Sequence, residues 1–277
     1  KTVTVERELN ENGEFELPSV ETVEQRIIDT KPGALLIIPY DNPTGQLFSK
    51  ETLIEYTKLC VKHNLWIISD EAYRELAYEK GKETSSIWAL TDKDVPGIEG
   101  RRVSIGAIIT DNKLCYEKSV AEYTANLSAN TLGQYIFGAL AHESHAELHN
   151  WYEQQRDYYR KMIFDLHEGF KAVEPDFIVS RPEASIYFVI DVRKVAKPGF
   201  DGVEFASWCA EHGAISLDDG KEYTLLMAPL NGFYSGKKGE DNPGRTQLRV
   251  SFCENPDLLR LAPELLSKLF RAYEAQR

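Results

Sequence analysis

The stretch that decides the fold is "ALLIIPYDNPTGQLFSKETLIEYTKLCVKHNLWIISDEAY", residues 34–73. Its first apolar run, residues 34–40, predicts a strand, and the run at residues 65–70 predicts a second buried strand. Between them, Ser49 is a candidate N-cap for a helix. The helix is indicated by an apolar stripe of Leu53, Tyr56, Cys60 and Val61. Strand, helix and strand in this order predict a right-handed crossover and a parallel sheet.

Polar side chains follow both predicted strands. Asn42 lies in the turn after the first strand, and Asp70 ends the second. Ligands of open parallel sheets bind beyond the carboxyl ends of the strands. The crossover is therefore expected to deliver both side chains to one rim of the sheet.

The rest of the chain shows a different pattern of predicted helices and strands. One long helix is predicted from Thr131 to about Val173, followed by strands at 185–192, 223–230 and 247–253 and a closing helix at 256–276. The pattern predicts an α/β protein whose mostly parallel sheet is sandwiched by helices in residues 1–149. A smaller C-terminal α+β domain is predicted for residues 150–277.

Composition narrows the class of protein. The 277 residues carry a net charge of -12, which argues against a nucleic-acid partner. No apolar run approaches the roughly 20 residues that span a bilayer, and no signal core follows Lys1, so no membrane partner is expected. The four cysteines are far apart and indicate reduced thiols. We expect a soluble cytoplasmic protein.

Three motifs carry a family resemblance. "NPTG" at 42–45, "SDEAY" at 69–73 and "LRVSF" at 248–252 together resemble the class I/II aminotransferases, which are fold-type-I enzymes that depend on pyridoxal 5'-phosphate (PLP). The similarity runs from about Val5 to the end of the chain. It implies that Asp70 sits against the ring nitrogen of the cofactor, and that Asn42 and Tyr73 donate to its phenolate oxygen. Arg249 would grip the α-carboxylate of the substrate.

The resemblance also implies an activity. The implied activity is the transfer of an amino group between an amino acid and a 2-oxo acid. The resemblance also implies that the enzyme is a homodimer. A PLP-dependent lyase or decarboxylase is the nearest alternative, because the same scaffold supports those reactions. A pseudoenzyme or regulatory binding domain is a third possibility.

Each of these residues also has a simpler interpretation. Asn42 would suit the start of any turn, Asp70 could cap a helix entered at "EAYREL", and Tyr73 could serve packing alone. Arg249 is harder to explain structurally, because a guanidinium among apolar neighbours needs an anionic partner.

The sequence departs from the family at the catalytic lysine. The family carries a Schiff-base lysine in a Ser-x-Ser-Lys turn between two strands, and no such segment exists here. Lys93, eight residues before Arg101, is disfavoured because it lies between two aspartates in a surface-like stretch that would hold its amine protonated. We expect a missing segment between Ser104 and Ile105, since the family's two strands run antiparallel and these residues leave no room to turn. The family's N-terminal phosphate-binding part is also expected to be missing.

A metal site is not expected. His145 and His149 lie one helical turn apart, with His142 nearby, but the pattern is not HExxH and no third ligand is indicated. A solvated helix face is the simpler interpretation.

Overall fold

The structure is a computed structural model, and it describes residues 2–79, 86–104, 108–124, 131–234 and 239–277. Across these ranges the strands are β1 (Glu8–Leu9), β2 (Phe15–Glu16), β3 (Ala34–Ile37), β4 (Trp66–Ser69), β5 (Arg102–Ser104), β6 (Ile109–Thr110), β7 (Ile178–Val179), β8 (Tyr187–Asp191), β9 (Ile215–Ser216), β10 (Glu222–Tyr223), β11 (Ala228–Pro229) and β12 (Gln247–Ser251). The α-helices are α1 (Val20–Thr30), α2 (Lys50–Lys62), α3 (Lys113–Thr124), α4 (Thr131–Gly138), α5 (His145–Val173), α6 (Gly202–His212), α7 (Pro256–Leu259) and α8 (Ala262–Gln276). No described helix is both long enough and apolar enough to cross a bilayer.

The chain divides into two compact units. The terminal unit comprises residues 1–26, 41–46 and 159–277, and the middle unit comprises residues 27–40 and 47–158. The division therefore falls inside α5 and assigns the 41–46 turn to the terminal unit. The boundary between residues 149 and 150 remains a prediction from sequence.

The middle unit is built on the predicted crossover. Its sheet has the order β3-β4-β5-β6, and β3 pairs with β4 in parallel, with Ala34 opposite Trp66. The predicted cap is confirmed, because the Ser49 hydroxyl accepts a hydrogen bond from the backbone N of Thr52 at 3.1 Å. The predicted stripe is buried at Leu53, Tyr56 and Cys60. The parallel strands that the crossover predicts are confirmed.

Strands β5 and β6 are antiparallel, as the family resemblance implies. Ser104 pairs with Ile109 and Val103 with Thr110, so residues 105–108 separate the strands. The missing segment predicted at Ser104/Ile105 concerns residues 105–107, which lie outside the described part of the chain.

The terminal unit is built on an antiparallel sheet of order β11-β12-β8-β7. Along β12, Leu248 and Val250 are buried and Arg249 between them is partly exposed, while Gln247 is fully buried. One cluster of the core beside this sheet consists of Leu9, Phe15, Ile178, Val189, Leu230 and Tyr234. Helix α8 contributes aromatic packing, for example Phe270 against Phe177 with ring centroids 5.6 Å apart.

Two predicted elements are broken. The single long helix is interrupted, because α4 ends at Gly138 and α5 begins at His145. Ser144 and Glu147 form a capping box there: the Ser144 backbone N donates to the Glu147 carboxylate at 2.9 Å, and the Glu147 backbone N donates to the Ser144 hydroxyl at 3.2 Å. The closing helix is likewise split before α8, where Pro263 occupies the first turn.

The predicted strand at 223–230 is shorter than expected. Only Glu222–Tyr223 and Ala228–Pro229 are extended and paired, and residues 224–227 between them belong to no described strand. In this run, Ala228 and Pro229 pair with β12, opposite Arg249 and Leu248.

Candidate active site

The turn after β3 is held by a buried carboxylate. Asp41 is 4% exposed and accepts a hydrogen bond from the backbone N of Thr44 at 3.1 Å and another from the Thr44 hydroxyl. The Arg7 guanidinium forms an ion pair with the same carboxylate at 3.1 Å and also donates to Gln46 Oε1 at 3.1 Å. This network fixes the backbone on both sides of Asn42. Sequence reasoning missed the roles of both Asp41 and Arg7, although Asp is a common turn residue whose side chain hydrogen-bonds nearby backbone.

The turn is also fixed to the strand β8 region by backbone contacts. Gly45 has φ +72°, and its carbonyl accepts hydrogen bonds from the backbone N of Glu183 at 2.9 Å and of Ala184 at 2.7 Å. A Cβ placed on Gly45 would lie 2.2 Å from the Tyr187 carbonyl oxygen. Ser185 adds a hydroxyl bond to the Asp41 carbonyl at 3.0 Å. Position 45 therefore accepts only glycine without rearrangement.

The structure brings Asn42 and Arg249 into contact. The Arg249 Nη1 donates to the Asn42 Oδ1 at 2.8 Å, within the terminal unit. Since the amide oxygen is taken by this bond, the Asn42 NH2 group is the donor end of the side chain. Arg249 is placed for this contact by β12, which pairs it with Val189 of β8.

Two aromatic rings flank the Arg249 guanidinium. It lies 4.4 Å from the ring centroid of Tyr187 and 5.8 Å from that of Phe233. Its Nε is buried and has no hydrogen-bond partner within the part of the chain that the structure describes. A buried guanidinium N–H without an acceptor is costly, so this edge of Arg249 is suited to an anionic ligand.

Asp70 and Tyr73 lie in a turn of the middle unit directly after β4. The Asp70 backbone N donates to the Ile37 carbonyl at 2.9 Å, and its Oδ1 accepts from the Ala72 backbone N at 3.2 Å. The Leu76 backbone N donates to the Tyr73 carbonyl at 3.1 Å. Both residues are thus at the carboxyl end of a parallel strand, as predicted, and both are partly exposed. That Asp70 and Tyr73 share a pocket with Asn42 and Arg249 remains a prediction.

Farther along the same turn, Glu75 has a left-handed backbone. Its φ is +75°, which is unfavourable for a residue with a Cβ. Its carboxylate forms an ion pair with Arg156 of α5 at 3.1 Å, inside the middle unit. The ion pair fastens the end of the turn that carries Tyr73.

A further carboxylate in this turn was not identified from the sequence. Glu71 accepts hydrogen bonds from the Ser69 hydroxyl at 2.9 Å, the Ser86 hydroxyl at 2.8 Å and the Ile87 backbone N at 3.1 Å. A charged residue directly after a buried strand was the available signal, but the sequence does not show which donors converge on it.

Lys93 lies in an exposed turn, as the sequence predicts. The neighbouring Asp94 accepts hydrogen bonds from the Thr91 backbone N at 2.8 Å and the Thr91 hydroxyl at 2.9 Å, and these bonds lower the pKa of Asp94. Arg101 donates to the Gly97 carbonyl and to Asn64 Oδ1. These contacts assign no described lysine to catalysis. Lys93 stays disfavoured as the Schiff-base lysine.

Two cysteines and the histidines contribute little reactive chemistry. Burial raises the pKa of Cys60 and of Cys209 to about 12, so both thiols stay protonated. His149 faces Glu153 at 3.4 Å on α5. Among the described residues no group of three or more His, Cys, Asp or Glu side chains is arranged to hold a metal.

The chain is similar in sequence to known proteins. The sequence model of the family described as aminotransferase class I and II matches residues 14–262. The chain belongs to this family. This class I/II aminotransferase chain is 24% identical over 256 residues to the aspartate aminotransferase of Bacillus subtilis (strain 168), covering 87% of the chain and 58% of that relative. It is 24% identical over 217 residues to the cystathionine beta-lyase PatB of the same strain, covering 73% of the chain and 54% of the relative.

The fold is shared with solved structures. N-succinyldiaminopimelate aminotransferase from Mycobacterium tuberculosis superposes with a TM-score of 0.73 at 21% identity, over 96% of this chain and 65% of that one. The class I/II aminotransferase chain therefore has the α/β fold of fold type I that the sequence predicts. It spans little more than half the length of these two curated relatives.

Proposed function

We propose that the protein is a PLP-dependent aminotransferase that moves an amino group between an amino acid and a 2-oxo acid. The observation that carries the proposal is the Arg249 guanidinium, which donates from Nη1 to Asn42 and is flanked by Tyr187. Its buried Nε has no hydrogen-bond partner among the described residues. Membership of the class I/II family supports the assignment.

The edge of Arg249 opposite Asn42 fits a substrate carboxylate. With Nη1 occupied, Nε–H and Nη2–H remain as adjacent, parallel donors, which match the two oxygens of an α-carboxylate. The aromatic surroundings exclude water and strengthen such a pair. Arg249 would therefore bind and orient the amino acid.

The residues present also fit the ring of the cofactor. PLP, when bound, supplies an electron sink for the charge that develops at the α-carbon of the substrate. The Asp70 carboxylate would hold a proton on the ring nitrogen, and Asn42 NH2 and Tyr73 OH would donate to the phenolate oxygen. The donor end of Asn42 is set by its contact with Arg249, so cofactor and substrate binding are coupled through that amide.

A β-elimination on the same site is the second candidate. The similarity to cystathionine beta-lyase PatB favours it, because elimination and transamination use the same carboxylate and ring-nitrogen contacts. The two differ in product: transamination needs a 2-oxo acid acceptor, whereas elimination releases ammonia without one.

Isotope transfer tests the proposal. The protein is incubated with PLP, ¹⁵N-labelled amino acids and an unlabelled 2-oxo acid, and label in the new amino acid is measured by mass spectrometry. Label transfer that depends on Arg249 supports the proposal. Labelled ammonia formed without an acceptor would favour the lyase. If neither labelled product forms, both activities are refuted.

A matched pair of variants makes the test specific. Arg249→Lys keeps the charge but loses the parallel donors, so KM for the amino acid should rise by about tenfold or more. Arg260→Lys is the control, since Arg260 is an exposed residue paired with Asp257 on the surface. Equal effects of the two substitutions would show that Arg249 does not bind substrate.

We also propose that the protein forms a homodimer. The family resemblance implies a homodimer, and sedimentation velocity of the 277-residue chain tests whether it forms one.

A further inference from the structure

We infer that Glu71 is a positioning residue, which anchors the turn that presents Asp70 and Tyr73 to the cofactor ring. The inference rests on the proposed function for the roles of Asp70 and Tyr73. The anchor itself rests on the hydrogen bonds of Glu71 inside the middle unit.

The Glu71 carboxylate joins two distant segments of chain. Its Oε1 accepts from the Ser69 hydroxyl, at the end of β4, and from the Ile87 backbone N. Its Oε2 accepts from the Ser86 hydroxyl. Ser69, Ser86 and Ile87 are all buried, so little water competes for these three donors.

Some bonds of the turn are local. The Arg74 backbone N donates to the Glu71 carbonyl at 2.9 Å, and the Asp70 carboxylate accepts from the Ala72 backbone N at 3.2 Å. Two contacts reach farther at its ends: the Asp70 backbone N donates to the Ile37 carbonyl, and Glu75 pairs with Arg156. Between these ends, the Glu71 side chain ties the residue after Asp70 to a helical turn that begins at Ile87.

The contact at residue 86 is itself held in place. The Ser86 hydroxyl accepts from the Trp88 backbone N at 3.1 Å and so caps the 3-10 helix of residues 87–89. The Trp88 ring lies under the Arg102 guanidinium, 4.8 Å from its centroid. The anchor therefore leads from the Asp70 turn to β5, the strand next to β4 in the sheet.

Two substitutions separate anchoring from charge. Glu71→Ala removes all the acceptors, whereas Glu71→Gln keeps an oxygen for Ser69 and the Ile87 N–H and turns its NH2 toward the Ser86 hydroxyl, which can accept. Glu71→Gln should therefore rescue what Glu71→Ala loses. Glu55→Ala, on the exposed face of α2, is the matched control.

Hydrogen exchange tests the anchor directly. In Glu71→Ala the amides of residues 72–76 should exchange at least about tenfold faster than in the wild type, while those of α2 and β12 are unchanged. Glu71→Gln and Glu55→Ala should match the wild type. Unchanged exchange of residues 72–76 in Glu71→Ala would overturn the inference, and so would an equal acceleration throughout the middle unit.

Ligand binding tests the link to the ring nitrogen. The probes are pyridoxamine phosphate and its analogue with CH in place of the ring nitrogen, titrated by fluorescence. The wild type should prefer pyridoxamine phosphate, and Asp70→Ala should abolish the preference. Glu71→Ala should reduce the ratio of the two affinities several-fold and Glu71→Gln should restore it, whereas a merely structural role would weaken both probes equally.

The two failures are distinguishable. A wild type without preference for pyridoxamine phosphate would remove the role of Asp70, and with it the proposed function and the positioning role of Glu71. A preference that Asp70→Ala abolishes but Glu71→Ala leaves intact would overturn the inference alone.

Discussion

Replacing Gly45 by alanine tests the geometry that holds Asn42 against Arg249. The residue has φ +72°, and a Cβ there would lie 2.2 Å from the Tyr187 carbonyl oxygen. The left-handed conformation costs a non-glycine residue about 1–2 kcal/mol. Relief of the clash requires backbone movement, which costs roughly another 1–3 kcal/mol. We expect Gly45→Ala to reduce the free energy of unfolding by about 2–5 kcal/mol.

The chain contains a matched control for this substitution. Gly220 has φ +75°, also in the terminal unit, and a Cβ added to it would meet nothing within 4 Å. Gly220→Ala should therefore show only the conformational cost of about 1–2 kcal/mol. The difference between the two variants isolates the clash with the Tyr187 backbone.

Urea unfolding followed by circular dichroism measures both variants. Gly45→Ala should also weaken capture of an amino-acid substrate, because the bonds from its carbonyl to Glu183 and Ala184 hold the Asn42 turn. Equal losses of stability in Gly45→Ala and Gly220→Ala would refute the reasoning, since the close approach to Tyr187 would then have no energetic effect.

Two further predictions concern buried titratable groups. Burial lowers the pKa of His167 below its ordinary value of 6.5, so the unfolded state binds a proton more readily than the folded state and stability should fall as the pH drops below about 6.5. The free energy of unfolding should fall less between pH 7.5 and pH 5.5 in His167→Gln than in the wild type. His212→Gln, at an exposed position, is the control. An equal fall in His167→Gln and the wild type would contradict the lowered pKa of His167. For the thiols, iodoacetamide should label exposed Cys253 in the native protein and reach Cys60 and Cys209 only after denaturation, as read by peptide mass spectrometry; native labelling of Cys60 at the same rate would contradict its burial.

The sequence predicts the crossover well because its signals are local. Ser49 caps α2 through a bond to a residue three positions away, and the apolar stripe of α2 repeats with the helical period.

The features that the sequence did not predict depend on contacts between residues distant in sequence, or on a helix cap inside a periodic run. Ser144 and Glu147 interrupt an apolar pattern that continues across them, so periodicity alone predicts one helix. The Asp41 network joins Arg7 to the turn, and the Glu71 network joins β4 to residues 86–87. Neither the donors nor their geometry can be read from a linear pattern, because a carboxylate after a strand looks the same whether it is solvated or anchored.

The register of the sheet in the terminal unit has a consequence for how binding can be lost. Arg249 is opposite Val189 on one side and Ala228 on the other, so its side chain faces Tyr187 only while these pairings hold. A slip of β12 by one residue would turn the guanidinium to the opposite face and bring Leu248 or Val250 into its place. The proposed substrate recognition by Arg249 therefore depends on main-chain pairing as much as on the identity of the arginine. A substitution on β8 or β11 that shifts this pairing should abolish binding while leaving Arg249 itself unchanged.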